Sequence, residues 1–321
     1  MRIVESYGNE QVARVYLAKD EKGRMLEFVE SVQPPIPREE KWVLIISTLY
    51  GCPVQCRFCD AGGGYSGKVS YDELLFQIDA PILKRFPDRK IPVKKFKIQF
   101  ARMGEPAFNM DVLKVLDNFK TLYDAPGFMP SISTIAPMGT DDFFEKLLEI
   151  KNRLYLGRFQ LQFSLHSTSE QQREALMPVK KWGLEKIAQY GDRFYQNGDR
   201  KITLNFALDK NSELDPTVLK KYFDPAVFLI KITPLNPTYK VKTNNMESFF
   251  DISANHSQSM NKERPLLKEI RNAGFDCILS IGELEENQIG SNCGQYVMSH
   301  KKSKEKMPDG YTYIHNSSTS I

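Results

Sequence analysis

Cysteine and histidine are scarce in this chain of 321 residues, which has five of the first and four of the second. His256, His300 and His315 are scattered through late, polar sequence, so a multi-histidine metal site has no support. Long apolar runs are missing too: none approaches the roughly 18–20 residues that a membrane helix needs. The opening MRIVESYGNE lacks the charged-then-apolar layout of a signal peptide, so the expected location is cytoplasmic, with no membrane partner. Nor is there an excess of one charge. Lys and Arg (44) against Asp and Glu (40) leave only +4, which excludes a polycation whose charge alone declares a nucleic-acid partner and confines any basic surface to a local patch. No internal repeat or low-complexity tract occurs. Gly62, Gly63, Gly64 and Gly67 are not followed by the Gly-Lys-Ser/Thr signature of a phosphate-binding loop.

The composition that remains, 41% hydrophobic and 26% charged, is that of a folded globular protein. Runs rich in β-branched and aromatic residues predict strands at 42–48, 95–101, 130–136, 158–164, 201–208 and 227–234, with 275–281 as a seventh. Helical spacing between them predicts helices near 70–85, 110–122, 140–153, 182–196, 215–222 and 259–273. Such alternation implies βαβ units around a parallel sheet, and six or seven units favour an open or closed barrel over a flat nucleotide-binding sheet. Active sites of parallel barrels lie at the carboxyl ends of the strands. Residues 1–40 form a small extension: VARVYLAKD and MLEFVES flank DEKGR as a hairpin, and QPPIPREE reads as a linker. The core barrel is assigned to 41–285 and a C-terminal segment with a polar tail to 286–321.

Three of the cysteines crowd into Cys52-Pro-Val-Gln-Cys56-Arg-Phe-Cys59, and an odd total of five suits a metal site in a reducing compartment better than disulfides. Soft sulfur ligands in threes favour iron–sulfur chemistry or zinc. A closed structural zinc site wants four ligands and no fourth Cys or His lies nearby, whereas an iron–sulfur cube on three cysteines keeps one iron open. The adjacent Gly62-Gly63-Gly64 lets the backbone fold closely around whatever is bound.

CxxxCxxC with an aromatic residue, Phe58, before its last cysteine, following the first strand of a βα barrel, resembles the signature of radical S-adenosylmethionine (SAM) enzymes. The resemblance continues through Met103-Gly104-Glu105-Pro106 with Asn109, Ser133-Thr134, Ser164-Leu165-His166 followed by Arg173 and Pro178, Leu235-Asn236-Pro237 and Cys293-Gly294-Gln295. Their order, over roughly 27–297, is similar to the RlmN/Cfr family of RNA adenine methylating enzymes. The resemblance implies a partial (βα)6 radical SAM barrel with a short N-terminal β-hairpin extension. It implies a [4Fe-4S] cluster on Cys52, Cys56 and Cys59, and SAM bound by Gly104, Glu105, Ser133, Ser164, Leu165, His166 and Asn236, with Glu105 on its amino group. Phe58 is expected to pack on the adenine. A sulfonium cofactor with an ammonium and ribose hydroxyls suits such a cradle of carboxylate, hydroxyl and amide groups. An electron donor such as flavodoxin or ferredoxin and an RNA substrate, rRNA or tRNA, are the implied partners.

By the same resemblance Cys293 is the methyl-carrying cysteine and Glu30 matches an acid that accepts a proton; the plainer alternatives are an exposed thiol and a solvated hairpin carboxylate. The chain departs from the family in two places. The cysteine that resolves the substrate adduct stands seven residues before the first cluster cysteine, and here that position is Ile45. Cys277 lies within FDCILSI, where a packed strand cysteine is the natural reading. The roughly 40 N-terminal residues are also fewer than the family's RNA-binding accessory domain takes. The best basic feature is Lys84, Arg85, Arg89, Lys90, Lys94, Lys95 and Lys97 with Phe86 and Phe96 interleaved, a phosphate grip or a solvated face. Two rivals therefore stand beside RNA methylation: radical chemistry on a nucleotide, small metabolite or peptide, and a zinc-stabilised RNA-binding module.

Overall fold

The computed structural model describes residues 1–250, 265–280, 284–291 and 296–297. Its strands form a ten-stranded sheet whose spatial order is the chain order. β1 (Arg2–Gly8), β2 (Ala13–Lys19), β3 (Met25–Ser31) and β4 (Lys41–Ile46) pair antiparallel. From β4 onward, β5 (Lys95–Phe100), β6 (Phe128–Thr134), β7 (Gln160–Ser164), β8 (Ile202–Leu208), β9 (Phe228–Pro234) and β10 (Cys277–Leu279) run parallel. The helices are α1 (Tyr71–Arg85), α2 (Asp111–Leu122), α3 (Asp141–Leu154), α4 (Glu170–Leu176), α5 (Leu184–Phe194), α6 (Pro216–Tyr222), α7 (Tyr239–Thr243), α8 (Pro265–Asn272) and α9 (Leu284–Ile289). Six βα units from β4 to α7 make the partial (βα)6 barrel that the sequence pattern implies.

The N-terminal element is larger than a hairpin. Its two expected strands are β2 and β3, and β1 joins them although RIVESYG carries no apolar run; its residues stay only half-buried on the sheet edge. The stretch is also continuous with the barrel, since Val29, Glu30 and Ser31 pair with Ile45, Leu44 and Val43.

Period-two alternation sorts side chains between two faces of this sheet. Trp42, Leu44, Ile46, Phe96, Ile98, Phe100, Phe228, Ile230 and Ile232 point outward into the core beneath the helices. There they meet Leu74, Ile78 and Ile82 of α1 and Val112, Leu116 and Phe119 of α2. α1 begins where Ser70 caps it: the Ser70 side chain accepts from Glu73 N–H and Glu73 reaches back to Ser70 N–H. The alternate residues, among them Val43, Ile45, Gln99, Ser133 and Ser164, therefore face the barrel interior.

Candidate active site

The cysteine loop leaves the carboxyl end of β4 and turns back on itself. Cys52 N–H donates to the Gly63 carbonyl (3.3 Å) and Gly63 N–H returns to the Cys52 carbonyl (2.8 Å), so the expected close folding of the glycine run is observed. A Cβ on Gly62 would stand 2.9 Å from Gln55 Cα and 3.1 Å from the Cys59 carbonyl oxygen, which is why only glycine fits. α7 clips this loop to the end of β9. Asp60, buried directly after the last cysteine, accepts N–H groups from Tyr239 and Lys240 (both 2.9 Å), while the Thr238 hydroxyl donates to the Phe58 carbonyl (2.8 Å).

Burial pushes the Cys52 thiol up to about 12, with Cys59 adding to it, and burial likewise raises Cys56 well above the usual thiol value, with the fields of Cys59 and Cys52 adding. Opposing this, the Cys52 sulfur is met by the N–H groups of Val54 and Glu105, and Cys59 by those of Ala61 and Gly62; Cys59 is raised on balance by burial. Such N–H···S contacts favour thiolate and tune iron–sulfur centres. Among the described residues, no three Cys, His, Asp or Glu side chains converge on a point where a single ion would sit. A cube takes one thiolate on each of three irons, so its ligands stand apart. Three thiols on one folded loop, each within reach of the others' fields and two of them met by backbone N–H groups, fit that group.

The loop after β5 carries Gly104 and Glu105 to the same end. Thr48 N–H and Leu49 N–H both donate to the Met103 carbonyl (2.7 and 3.2 Å), locking the two loops together. Gly104 has φ +94°, and a Cβ there would lie 2.5 Å from Leu49 Cβ. Glu105 is 4% exposed and its carboxylate accepts from the Thr134 hydroxyl (2.5 Å), Ile135 N–H (2.9 Å) and Ala107 N–H (3.0 Å). Burial raises it to about 7 against those three donors. An ionised carboxylate has about four acceptor sites, so three are filled from within the chain.

His166 sits in the left-handed region (φ +62°) after β7, with Leu165 N–H and its own N–H directed at the Asn205 carbonyl. Its Nδ1 accepts the Ala207 N–H (3.0 Å), which puts the proton of the neutral ring on Nε2. Burial, with the Arg173 guanidinium nearby, drives its pKa down to about 3 and keeps the ring neutral. Phe58 packs edge-on against this ring at 4.7 Å. Ser133 faces inward and Asn236 follows β9 half-buried. The Leu165 side chain is in the outer core, so only its backbone is offered to the interior.

Glu30 is placed elsewhere. It lies on the helix-facing side of β3, opposite Leu44, where it is 1% exposed, ion-paired to Arg85 of α1 (2.9 Å) and hydrogen-bonded by the Tyr16 hydroxyl (2.5 Å). The structure does not bring it to the cysteine loop, and it is not the solvated carboxylate of the plainer alternative either. Cys293 lies outside the described residues. Ile45 packs with Val29, Ile289 and Tyr296 on the inner face, as an apolar strand residue should. Cys277 pairs in register with Ile230 and packs into the outer core, on the wrong face of the sheet to serve the mouth.

The basic run is mostly neutralised. Lys84 pairs with Glu10 (3.0 Å), Arg85 with Glu30, Arg89 with Asp79 (3.0 Å) and Lys94 with Glu40 (2.6 Å), while alternation turns Lys95 and Lys97 into the barrel. A surface cleft of about 820 Å³ between the ends of α2 and α3, lined by Phe119, Tyr123, Arg153 and Arg158, opens at the amino ends of the strands, opposite the cysteine loop.

A buried ion pair was not legible in the sequence. Glu27 of β3 faces inward and meets Arg102, which follows β5, at 2.8 Å, with both side chains at most 1% exposed. Arg102 donates to the carbonyls of Gly290 (2.8 Å) and Ser291, and Glu27 accepts the N–H groups of Tyr296 (2.9 Å) and Val297 (3.1 Å). The pair thereby ties the C-terminal segment to the loop that carries Gly104 and Glu105. Neither residue belongs to a motif, so no local signal could have found it; Asp60, adjacent to Cys59, and Thr238, after Asn236-Pro237, were within reach of the motif reading.

No family model matches the chain. Among curated proteins, the dual-specificity RNA methyltransferase RlmN of Wolinella succinogenes is 27% identical over 308 residues, covering 91% of this chain and 83% of that protein. The probable RlmN of Pseudothermotoga lettingae is 29% identical over 201 residues, 60% of this chain and 55% of that protein. Among solved structures, a radical SAM methyltransferase from Sphaerobacter thermophilus superposes with a TM-score of 0.66 over 92% of this chain and 80% of that one, at 18% identity, which shows a shared fold. The chain has the fold of a radical SAM methyltransferase. In sequence it is similar to the RlmN RNA methyltransferases along most of its length. Among the described residues, no helix is long and apolar enough to cross a membrane.

Proposed function

We propose that this chain is an RNA adenine methyltransferase-like enzyme of the cytoplasm in which Cys52, Cys56 and Cys59 hold a [4Fe-4S] cluster and Cys293 carries the methyl group. The observation that supports it best is the folded cysteine loop, with backbone N–H groups on two of its sulfurs and Gly104-Glu105 zipped beside it. When bound, a cluster of this type supplies the electron that splits a sulfonium bond of SAM. The chain's own residues do the rest. Glu105, pre-set by Thr134, Ile135 and Ala107, offers one remaining acceptor site to an ammonium; Ser133, Ser164 and Asn236 offer hydroxyl and amide groups; the backbone at Gly104 and Leu165 permits close approach. His166 presents a fixed Nε2–H donor, and Phe58 keeps water from its face. A flavodoxin or ferredoxin is the expected electron source.

Anaerobically purified protein should be brown and should release 5′-deoxyadenosine from SAM on adding a reductant; Cys56→Ala should lose both properties. A colourless zinc protein would refute the reading. Mass spectrometry of Cys293 after incubation with SAM should show a gain of one methyl group, and RNA recovered from the reaction a methylated adenine. A second reading, the same radical step on a nucleotide or other non-RNA substrate, is favoured by Ile45 in its apolar cluster and by the paired surface cations. An unmodified Cys293 in an enzyme that still releases 5′-deoxyadenosine would select it.

A further inference from the structure

The inner face of the barrel carries charge that the cofactor site does not use. Alternation points Lys41 of β4, Lys95 and Lys97 of β5 and Lys231 of β9 into the interior, since their neighbours Trp42, Phe96, Ile98, Ile230 and Ile232 fill the outer core. Lys41 and Lys95 are direct cross-strand neighbours, and Lys231 lies beside Asn205. Lys41 has Gln33 and the field of Glu286. Lys95, Lys97 and Lys231 have no carboxylate or hydrogen-bond partner among the described residues. Two further polar atoms on the same face are buried and unpartnered, Ser131 Oγ and Asn205 Oδ1. Burial, followed by the fields of Lys231, Lys41, Lys95 and Arg200, pushes the Lys97 ammonium down to about 7. Unpaired, half-buried cations gathered inside one barrel repel each other and favour an anion.

We propose that Lys95, Lys97 and Lys231 form an anion site inside the barrel for a terminal phosphate monoester of the substrate. Charge selects this ligand: a phosphate monoester carries about −1.5 to −2 at neutral pH and several acceptor oxygens, enough for three ammonium groups and a hydroxyl, whereas a carboxylate or an internal phosphodiester brings a single charge. Depth agrees. Lys97 lies three residues, about 10 Å, below the carboxyl end of β5, so a substrate held there by its phosphate leaves its other end at the cysteine loop. The last step rests on the cofactor reading of that loop; the anion site does not. The phosphate could belong to a free nucleotide or to the 5′ end of an RNA.

Equilibrium dialysis of the purified holoenzyme against inorganic phosphate tests the site. Saturable binding is expected, weakened at least tenfold by Lys97→Met or Lys231→Met, each of which keeps the aliphatic stem and removes repulsion, so neither variant should melt below the parent. Absence of saturable binding, or equal affinity in the double variant, overturns the proposal. Adenosine 5′-monophosphate displacing phosphate where adenosine does not assigns the free nucleotide. A 5′-phosphorylated oligoribonucleotide displacing it where its dephosphorylated twin does not assigns the RNA end, and displacement by neither phosphorylated compound overturns the site as a substrate site. Release of 5′-deoxyadenosine by the parent enzyme, measured separately, reports on the cluster reading alone.

Discussion

Replacing Glu27 by Gln strands the Arg102 guanidinium in the interior. Both partners are at most 1% exposed and 2.8 Å apart, so water cannot compensate the lost carboxylate. Removing one member of such a pair costs about 3–5 kcal/mol. Arg102 keeps its bonds to the Gly290 and Ser291 carbonyls, and a glutamine oxygen can still accept from Tyr296 or Val297, so the lower end, about 3 kcal/mol, is expected. Urea denaturation gives the number directly, as a fall in midpoint at unchanged slope. The double variant Glu27→Leu with Arg102→Met leaves no stranded charge but leaves the Tyr296 and Val297 N–H groups and the Gly290 and Ser291 carbonyls without these partners, so it should still be destabilised, by less than the sum of its two single variants. A loss below about 1 kcal/mol in Glu27→Gln, or a double variant as unstable as the two single variants added together, would refute the clamp.

Three other perturbations separate local causes. Gly104→Ala should lose about 2–4 kcal/mol in the same denaturation assay, because its Cβ meets Leu49 at 2.5 Å in a left-handed conformation, whereas Gly139→Ala, left-handed at +79° but with open space around it, should lose only about 1 kcal/mol; equal losses would mean that conformation alone decides. Asp60→Ala removes the acceptor of two α7 N–H groups, a cap worth about 0.5–2 kcal/mol, so iron should leave faster when the holoprotein is challenged with a chelator, and an unchanged rate would show that α7 does not hold the loop. Lys97 binds its proton less tightly when folded (about 7) than in the unfolded chain (10.5), so between these values the unfolded state holds more protons and stability rises with pH. The full difference would be worth about 5 kcal/mol at ~1.4 kcal/mol per tenfold change in proton affinity, which solvent in the barrel reduces to about 1–2 kcal/mol. Urea midpoints from pH 7 to 10 should therefore climb more steeply in the parent than in Lys97→Met; parallel curves would place that ammonium in water.

Strands announce themselves by β-branched and aromatic content, on both faces in β8 and on the alternating outer face in β5, which is why 95–101 and 201–208 closely match Lys95–Phe100 and Ile202–Leu208. Helices with a broad apolar face were equally legible: 140–153 is Asp141–Leu154. What escaped has little apolar content of its own. β1 is an edge strand of half-buried residues, and α4 (EQQREAL) and α7 (YKVKT) are short polar turns held by bonds to other segments, through Arg173 to the Trp182 carbonyl and through Asp60 to Tyr239. In the site, spacing exposed the cysteines and Gly104-Glu105 because a ligand-bearing loop is local in sequence. The clamp between Glu27 and Arg102 is not local, and no spacing carries it. The basic run failed in a more instructive way. Counting cations along the chain merged side chains on opposite faces of the sheet, yet K-F-K-I-Q-F already alternated, and once the even positions are core, Lys95 and Lys97 turn to the barrel interior.

With Ile45 packed against Ile289 and Tyr296, the position where a resolving thiol would stand is part of the apolar bed of the C-terminal segment. The same segment is bound by Glu27 and Arg102, and Arg102 is two residues from Gly104. One end of the barrel mouth is therefore a single mechanical unit: the Gly104-Glu105 loop, the clamp and the C-terminal segment share bonds and cannot be repositioned one at a time. On the inner wall, Lys97 and Lys231 have no carboxylate or hydrogen-bond partner among the described residues. Variation in chemistry on such a scaffold is confined to the wall that nothing else ties down. A substrate that differs from those of the related enzymes would accordingly be read by those lysines, and the cysteine loop need not change to receive it.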